Sequence, residues 1–195
     1  MALRYSTQQG GLVYEVKHLY YEGHRRLNCA CSMKKADRRN ANIFAVLLCM
    51  FVVIIDQATK FSVLAFLPKN SVLSVFKGFN IVLTFNFGTS FGLLTPSTVM
   101  QFYMLVIMTI LCIVFLIFLS FKMTNIFERM LCSLIIGGAI GNLCDRFFHG
   151  AVVDFIDLYY KDWHWPAFNV ADSFISVSAV FLLVYSIFTP KYRDF

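Results

Sequence analysis

Two aspartates, each one helical turn after an asparagine, are the residues of this 195-residue chain best placed to do chemistry. Asn142 and Asp145 stand in GGAIGNLCDRFFHG (137–150), and Asn169 and Asp172 in PAFNVADS (166–173). Asn142, Asp145 and Arg146 fall at i, i+3 and i+4, roughly one helix face. In each pair the amide can orient the carboxyl group that follows it. Two carboxyls held about 3 Å apart resist joint ionisation and keep one proton between them. The ionised member can then take a proton from water. The protonated member can polarise a carbonyl and later serve the leaving amine. That chemistry is peptide hydrolysis by water, and it needs no metal, no cofactor and no covalent intermediate. Taken singly, each acid also has a plain structural use. Asp145 can pair with Arg146 or mark a helix end, and Asp172 can sit in a first turn, stabilised by the helix dipole.

The elements that must bring the two acids together belong in a bilayer. Hydrophobic residues make up 58% of the chain and charged ones 14%, against about a quarter charged in soluble domains. Four apolar runs, about 43–67, 99–121, 130–148 and 170–188, approach or exceed the roughly 20 residues that a helix needs to cross. The first is too long for a cleaved signal peptide and is read as a retained span. Asp145 lies about 22 Å along the third run, and Asp172 is the third residue of the fourth. Adjacent spans run in opposite directions, so both acids reach similar depth near one boundary. Gly137 and Gly141 form a G-x-x-x-G pair that lets helices approach closely. Charge is costly at such depth, which makes paired acids a functional signal.

Lysine and arginine set the orientation. Twelve of the 17 lie before residue 40, in the 122–129 loop or after residue 190. Both termini are therefore expected in the cytoplasm, with 68–98 and 149–169 outside. The basic excess reflects this bias, and no nucleic-acid partner is expected. The expected organisation is a basic extension (1–40), a four-span domain (41–190) and a short tail (191–195). Alternation through Ile81–Asn86, after a Lys77-Gly78 turn signal, predicts a strand in a small sheet on the outer surface. The fold class is thus an all-α membrane protein with a small outer β-sheet. Four of the six cysteines lie in spans, so no disulfide framework is expected.

Five motifs in order, DQATK (56–60), FNFGTSFG (85–92), GGAIGNLCDR (137–146), VVDF (152–155) and PAFNVADS (166–173), give the chain its resemblance to the signal peptidase II family. That family consists of bacterial aspartic membrane proteases, and the match covers about residues 40–190. The resemblance implies a catalytic pair, Asp145 and Asp172, with Asn142, Arg146, Asn169 and Ala171 shaping the site. It implies support from Asp56 and Lys60, and substrate proximity for Asn86 and Gly88. Asp154 matches an acid that holds the site together. Thr89 and Ser90 stand where the family has small apolar residues. The implied substrate is a diacylglyceryl-modified prolipoprotein, cut just before the lipidated cysteine. The implied place is the bacterial cytoplasmic (inner) membrane, with the site near the periplasmic face, membrane lipids as neighbours and a monomeric state.

Several residues have plainer expectations. Asp56 is expected to hydrogen-bond neighbouring helices, and Lys60 has the option of snorkelling outward. Asp157 and Asp162 are expected as solvated loop acids. His149 and His164 lack zinc-ligand spacing, so no metal is expected. No G-x-S-x-G elbow occurs. The alternative from another class is a subunit of a proton- or ion-coupled transporter, in which membrane acids mark an ion path.

Overall fold

A computed structural model describes residues 35–69, 71–88 and 98–188. Among them, four helices are long and apolar enough to cross a membrane. Helix α1 (Lys35–Phe66) begins eight residues before the first apolar run and stops just before Pro68, whose ring forbids the next helical hydrogen bond. Helix α2 (Val99–Lys122) starts on a capping box, in which the Thr98 side chain accepts from the Gln101 N–H and Gln101 reaches back to Thr98. Helix α3 (Ile126–His149) opens on the Asn125 side chain, which accepts from the Phe127 N–H. It starts four residues before the predicted span, and it ends at Gly150. That glycine takes φ 71°, the left-handed conformation that turns a chain out of a helix at little steric cost. Helix α4 (Val170–Phe188) has the expected bounds.

Half of the apolar window of α3 is buried, against 17% or less in the other three helices. Helix α3 is therefore the centre of the bundle, and the others turn most of their apolar surface to lipid. Its glycines make this possible. A Cβ on Gly137 would meet the Cys49 carbonyl oxygen at 2.8 Å, and one on Gly138 would meet the Ala171 carbonyl oxygen at 2.6 Å. A Cβ on Gly141 would meet Asp56 Oδ2 at 2.5 Å. Glycine spacing thus lets α3 touch α1 on one side and the start of α4 on another. Ile113, Cys132 and Ile136 form the buried apolar centre, packed by Cys49, Leu116 and Ile140.

The remaining strands form one antiparallel sheet in the order β1 (Val72–Phe76), β2 (Phe79–Asn86), β3 (Val152–Tyr160), β4 (Trp163–His164). The predicted strand lies within β2, and the Lys77-Gly78 turn is present with Gly78 at φ 98°. Strands β3 and β4 fall within 149–169, the second segment expected outside, for which no strand is predicted. The pairing of β3 with β2 sets Thr84 opposite Asp154 and Asn86 opposite Val152. Of the predicted extension, residues 1–34 lie outside the described residues, while 35–40 belong to α1. The tail 191–195 lies outside them too, as do Thr89 and Ser90.

Candidate active site

The polar residues gather where α1, α3, β3 and the start of α4 meet. Lys60 of α1 is 2% exposed, so it does not snorkel. Its ammonium lies 2.7 Å from Asp145 Oδ2 and donates to Asp56 Oδ2 at 2.8 Å and Asn142 Oδ1 at 2.9 Å. A lysine has three N–H donors, and three acceptors receive them. Burial of these charges is tolerable because each is paired and hydrogen-bonded.

Asp145 is 1% exposed. Its Oδ1 accepts from Gln57 Nε2 at 2.9 Å, and its Oδ2 accepts from the Val153 N–H at 3.1 Å and faces Lys60. Both oxygens are therefore engaged, and the carboxylate fastens the end of α3 to α1 and β3. Asp56 has a comparable place. Its Oδ1 accepts from the Ala171 N–H at 2.9 Å, linking α1 to the first turn of α4 as a structural acid. Sequence reasoning passed over Gln57, which also donates to the Gly141 carbonyl at 3.1 Å. Its position beside Asp56 in DQATK was the available signal.

Asn169, fully buried, is the residue at which the remaining acids meet. Its Oδ1 accepts from the Asp172 N–H at 2.9 Å, the bond of an N-cap residue. Its Nδ2 donates to Asp154 Oδ1 at 2.7 Å. Asp154 Oδ2 accepts from Asn86 Nδ2 at 3.0 Å, and Asn86 Oδ1 in turn accepts from the Gly88 N–H at 3.1 Å. Asn142 Nδ2 donates to Asp172 Oδ1 at 2.8 Å. Among the described residues nothing donates to Asp172 Oδ2. Arg146 donates to the Asn142 and Gly88 carbonyls at 3.2 and 3.0 Å, tying the end of β2 over the site.

Burial pushes the Asp154 carboxyl up to about 7, and the negative charge of Asp172 adds to the rise. The hydrogen bonds from Asn86 and Asn169 and the charge of Lys60 act against it. Asp172 and Asn86 line a cavity of about 380 Å³, with Trp165 to Phe168 along one wall. Helix depth and the resemblance both pair Asp145 with Asp172; no hydrogen bond joins those two, and Asn142 stands in the chain of contacts between them. Asp157 departs from its expectation as a solvated acid. It is 7% exposed and bound by Asn80 and His164. Asp162 is exposed as expected.

Residues 48–188 match the family model described as Signal peptidase (SPase) II. A lipoprotein signal peptidase of Polynucleobacter necessarius is 39% identical over 70% of this chain and 84% of that protein. One of Thermodesulfovibrio yellowstonii is 40% identical over 77% of this chain and 95% of that protein. A bacterial membrane enzyme solved by the in meso method at 2.3 Å superposes with a TM-score of 0.66 at 31% identity, over 74% of this chain and 87% of that one. The chain, a multi-pass bacterial membrane protein with four apolar helices, belongs to the signal peptidase II family of aspartic proteases.

Proposed function

We propose that the chain removes the signal peptide from diacylglyceryl-modified prolipoproteins, cutting before the lipidated cysteine. Asp154 and Asp172 act as the carboxyl pair, and Asp145 serves as an anchor. Asp154 holds the shared proton and polarises the scissile carbonyl. Asp172, whose Oδ2 receives no donor among the described residues, takes a proton from the attacking water. The proton on Asp154 then passes to the leaving amine. Asn142 and Asn169 orient the pair, Asn86 and Gly88 edge the substrate cavity, and Arg146 keeps them in place. Asp56, Lys60 and Ala171 hold the first turn of α4 against α1. The observation that carries this reading is the single amide of Asn169, which touches both Asp154 and the Asp172 backbone. The charge bias of the loops supports cytoplasmic termini, an outer-face sheet and a site near the periplasmic boundary of the inner membrane. A lipidated precursor would present its scissile bond at that depth. The transporter alternative gives way to the family assignment.

The test compares wild type, Asp145→Asn, Asp154→Asn and Asp172→Asn in detergent, by cleavage of a diacylglyceryl-modified precursor and by thermal unfolding. Asp154→Asn and Asp172→Asn are expected to stay folded and lose cleavage by about 10³-fold or more. Asp145→Asn is expected to lower the unfolding temperature. The pairing of Asp145 with Asp172, which helix depth and the resemblance imply, predicts the opposite split: an inert but stable Asp145→Asn and an active Asp154→Asn.

A further inference from the structure

The segment between β3 and α4 is a strap stitched along the sheet. Tyr159 pairs with His164 and Tyr160 with Trp163. The Trp165 N–H donates to the Leu158 carbonyl at 2.8 Å. Farther on, the Phe168 N–H donates to the Ile156 carbonyl at 3.1 Å, and the Phe168 carbonyl accepts from the N–H groups of Phe155 and Ile156. Trp165, Pro166, Ala167 and Phe168 of this strap line the same cavity as Asp172.

A side-chain cluster that the reaction does not use pins the near end of the strap. Asp157 Oδ2 accepts from Asn80 Nδ2 at 2.9 Å, across the β2–β3 pair. His164 Nδ1 lies 2.8 Å from Asp157 Oδ1 and 3.1 Å from Oδ2, and its ring stacks on Tyr159 at 5.2 Å and 18°. Side chains alternate along a strand. Asp154 and Leu158 therefore belong to one face of β3, and Asp157 and Tyr159 to the other. Leu158 lines the cavity, so the cluster lies behind the wall and reaches substrate only through the strap.

We propose that Asp157 and His164 are positioning residues that seat the Trp165–Phe168 wall and set how tightly the precursor is held beside the scissile bond. This rests on the reading that the cavity receives the precursor. Loss of the contact loosens the wall and weakens binding, while Asp154 and Asp172 keep their partners and the chemical step its rate.

The chain offers a direct probe, because its two tryptophans, Trp163 and Trp165, both lie on the strap. Wild type, Asp157→Asn, His164→Phe and the double variant are compared by acrylamide quenching of intrinsic fluorescence without substrate, and by cleavage kinetics with a lipidated precursor. His164→Phe keeps a ring to stack on Tyr159 and removes the hydrogen bond. Each single variant is expected to raise quenching and to raise KM about fivefold with kcat within about twofold, the double being no worse than either. Unchanged quenching, raised quenching with an unchanged KM, or a fall in kcat that matches the rise in KM overturns the proposal. A wild type that cuts no lipidated precursor would defeat the functional reading instead. Quenching would then decide the strap contact alone: a rise supports it and no change overturns it.

Discussion

Lys60 Nζ lies 2.7 Å from Asp145 Oδ2, with the two side chains 2% and 1% exposed. Lys60 also meets Asp56 and Asn142, so one ammonium from the first helix serves three acceptors. Removing it would strand two carboxylates in a dry place. Lys60→Met is expected to cost about 3–5 kcal/mol of stability, the usual penalty for breaking a buried ion pair from one side. Thermal unfolding in detergent measures it. Adding Asp145→Asn to Lys60→Met should recover part of the loss, and an additive double variant would contradict the pairing.

The alkaline side of the pH–activity profile should report Asp154. Its carboxyl is raised to about 7, and the proposed mechanism needs it protonated. Cleavage by wild type is therefore expected to fall as pH rises through about 7. Asn86 donates to Asp154 and favours its ionised form. Asn86→Ala should consequently move the alkaline limb upward by about one pH unit, whatever it does to the maximum rate. A downward move would contradict the assignment.

The same group links stability to pH. Asp154 is raised from 3.8 to about 7 in the folded protein, so the folded state holds an extra proton between those values. Its contribution to stability is fully present below about 4 and is lost as pH rises through 7. Asp154→Asn, which does not titrate, should remove this part of the slope. Unfolding curves of the two proteins between pH 4 and 8 make the comparison.

Glycine substitutions should separate crowding from backbone strain. Gly138→Ala would set a Cβ 2.6 Å from the Ala171 carbonyl oxygen and 2.8 Å from Ile175, pushing α4 away beside Asp172. A cost of about 1–3 kcal/mol and a loss of cleavage are expected. Gly150→Ala meets nothing within 4 Å among the described residues but must keep φ 71°, so its cost should be about 1 kcal/mol, with activity retained. Unfolding temperatures and cleavage rates of the two variants check the contrast.

The spans were legible because long apolar runs have few other uses, and α4 starts and ends where its run does. Helix α1 begins earlier than its run because residues 35–42, KADRRNAN, hold no proline or glycine to stop a helix. The residues that meet in the cluster were legible in their motifs, while the division of roles proposed above for Asp145 and Asp154 rests on the folded arrangement. Depth along a helix ranks Asp145 and Asp172 together and says nothing of Asp154, which follows the turn at Gly150. Only the return of β3 against β2 brings Asp154 beside Asn86 and Asn169. The β-branched and aromatic run Val152, Val153, Phe155, Ile156, Tyr159 and Tyr160 was a usable sign of that strand. Gln57 and the Val153 N–H escaped notice because partners 88 and eight residues away in sequence define their use.

Asp56 receives the Ala171 N–H from 115 positions downstream, and that bond changes what the first helix is for. A foreign hydrophobic segment of equal length would still tether the polypeptide in the bilayer. It would bring no acid to steady the entry of the last helix and no cation for Asp145, and the transplanted enzyme would insert normally yet stay silent.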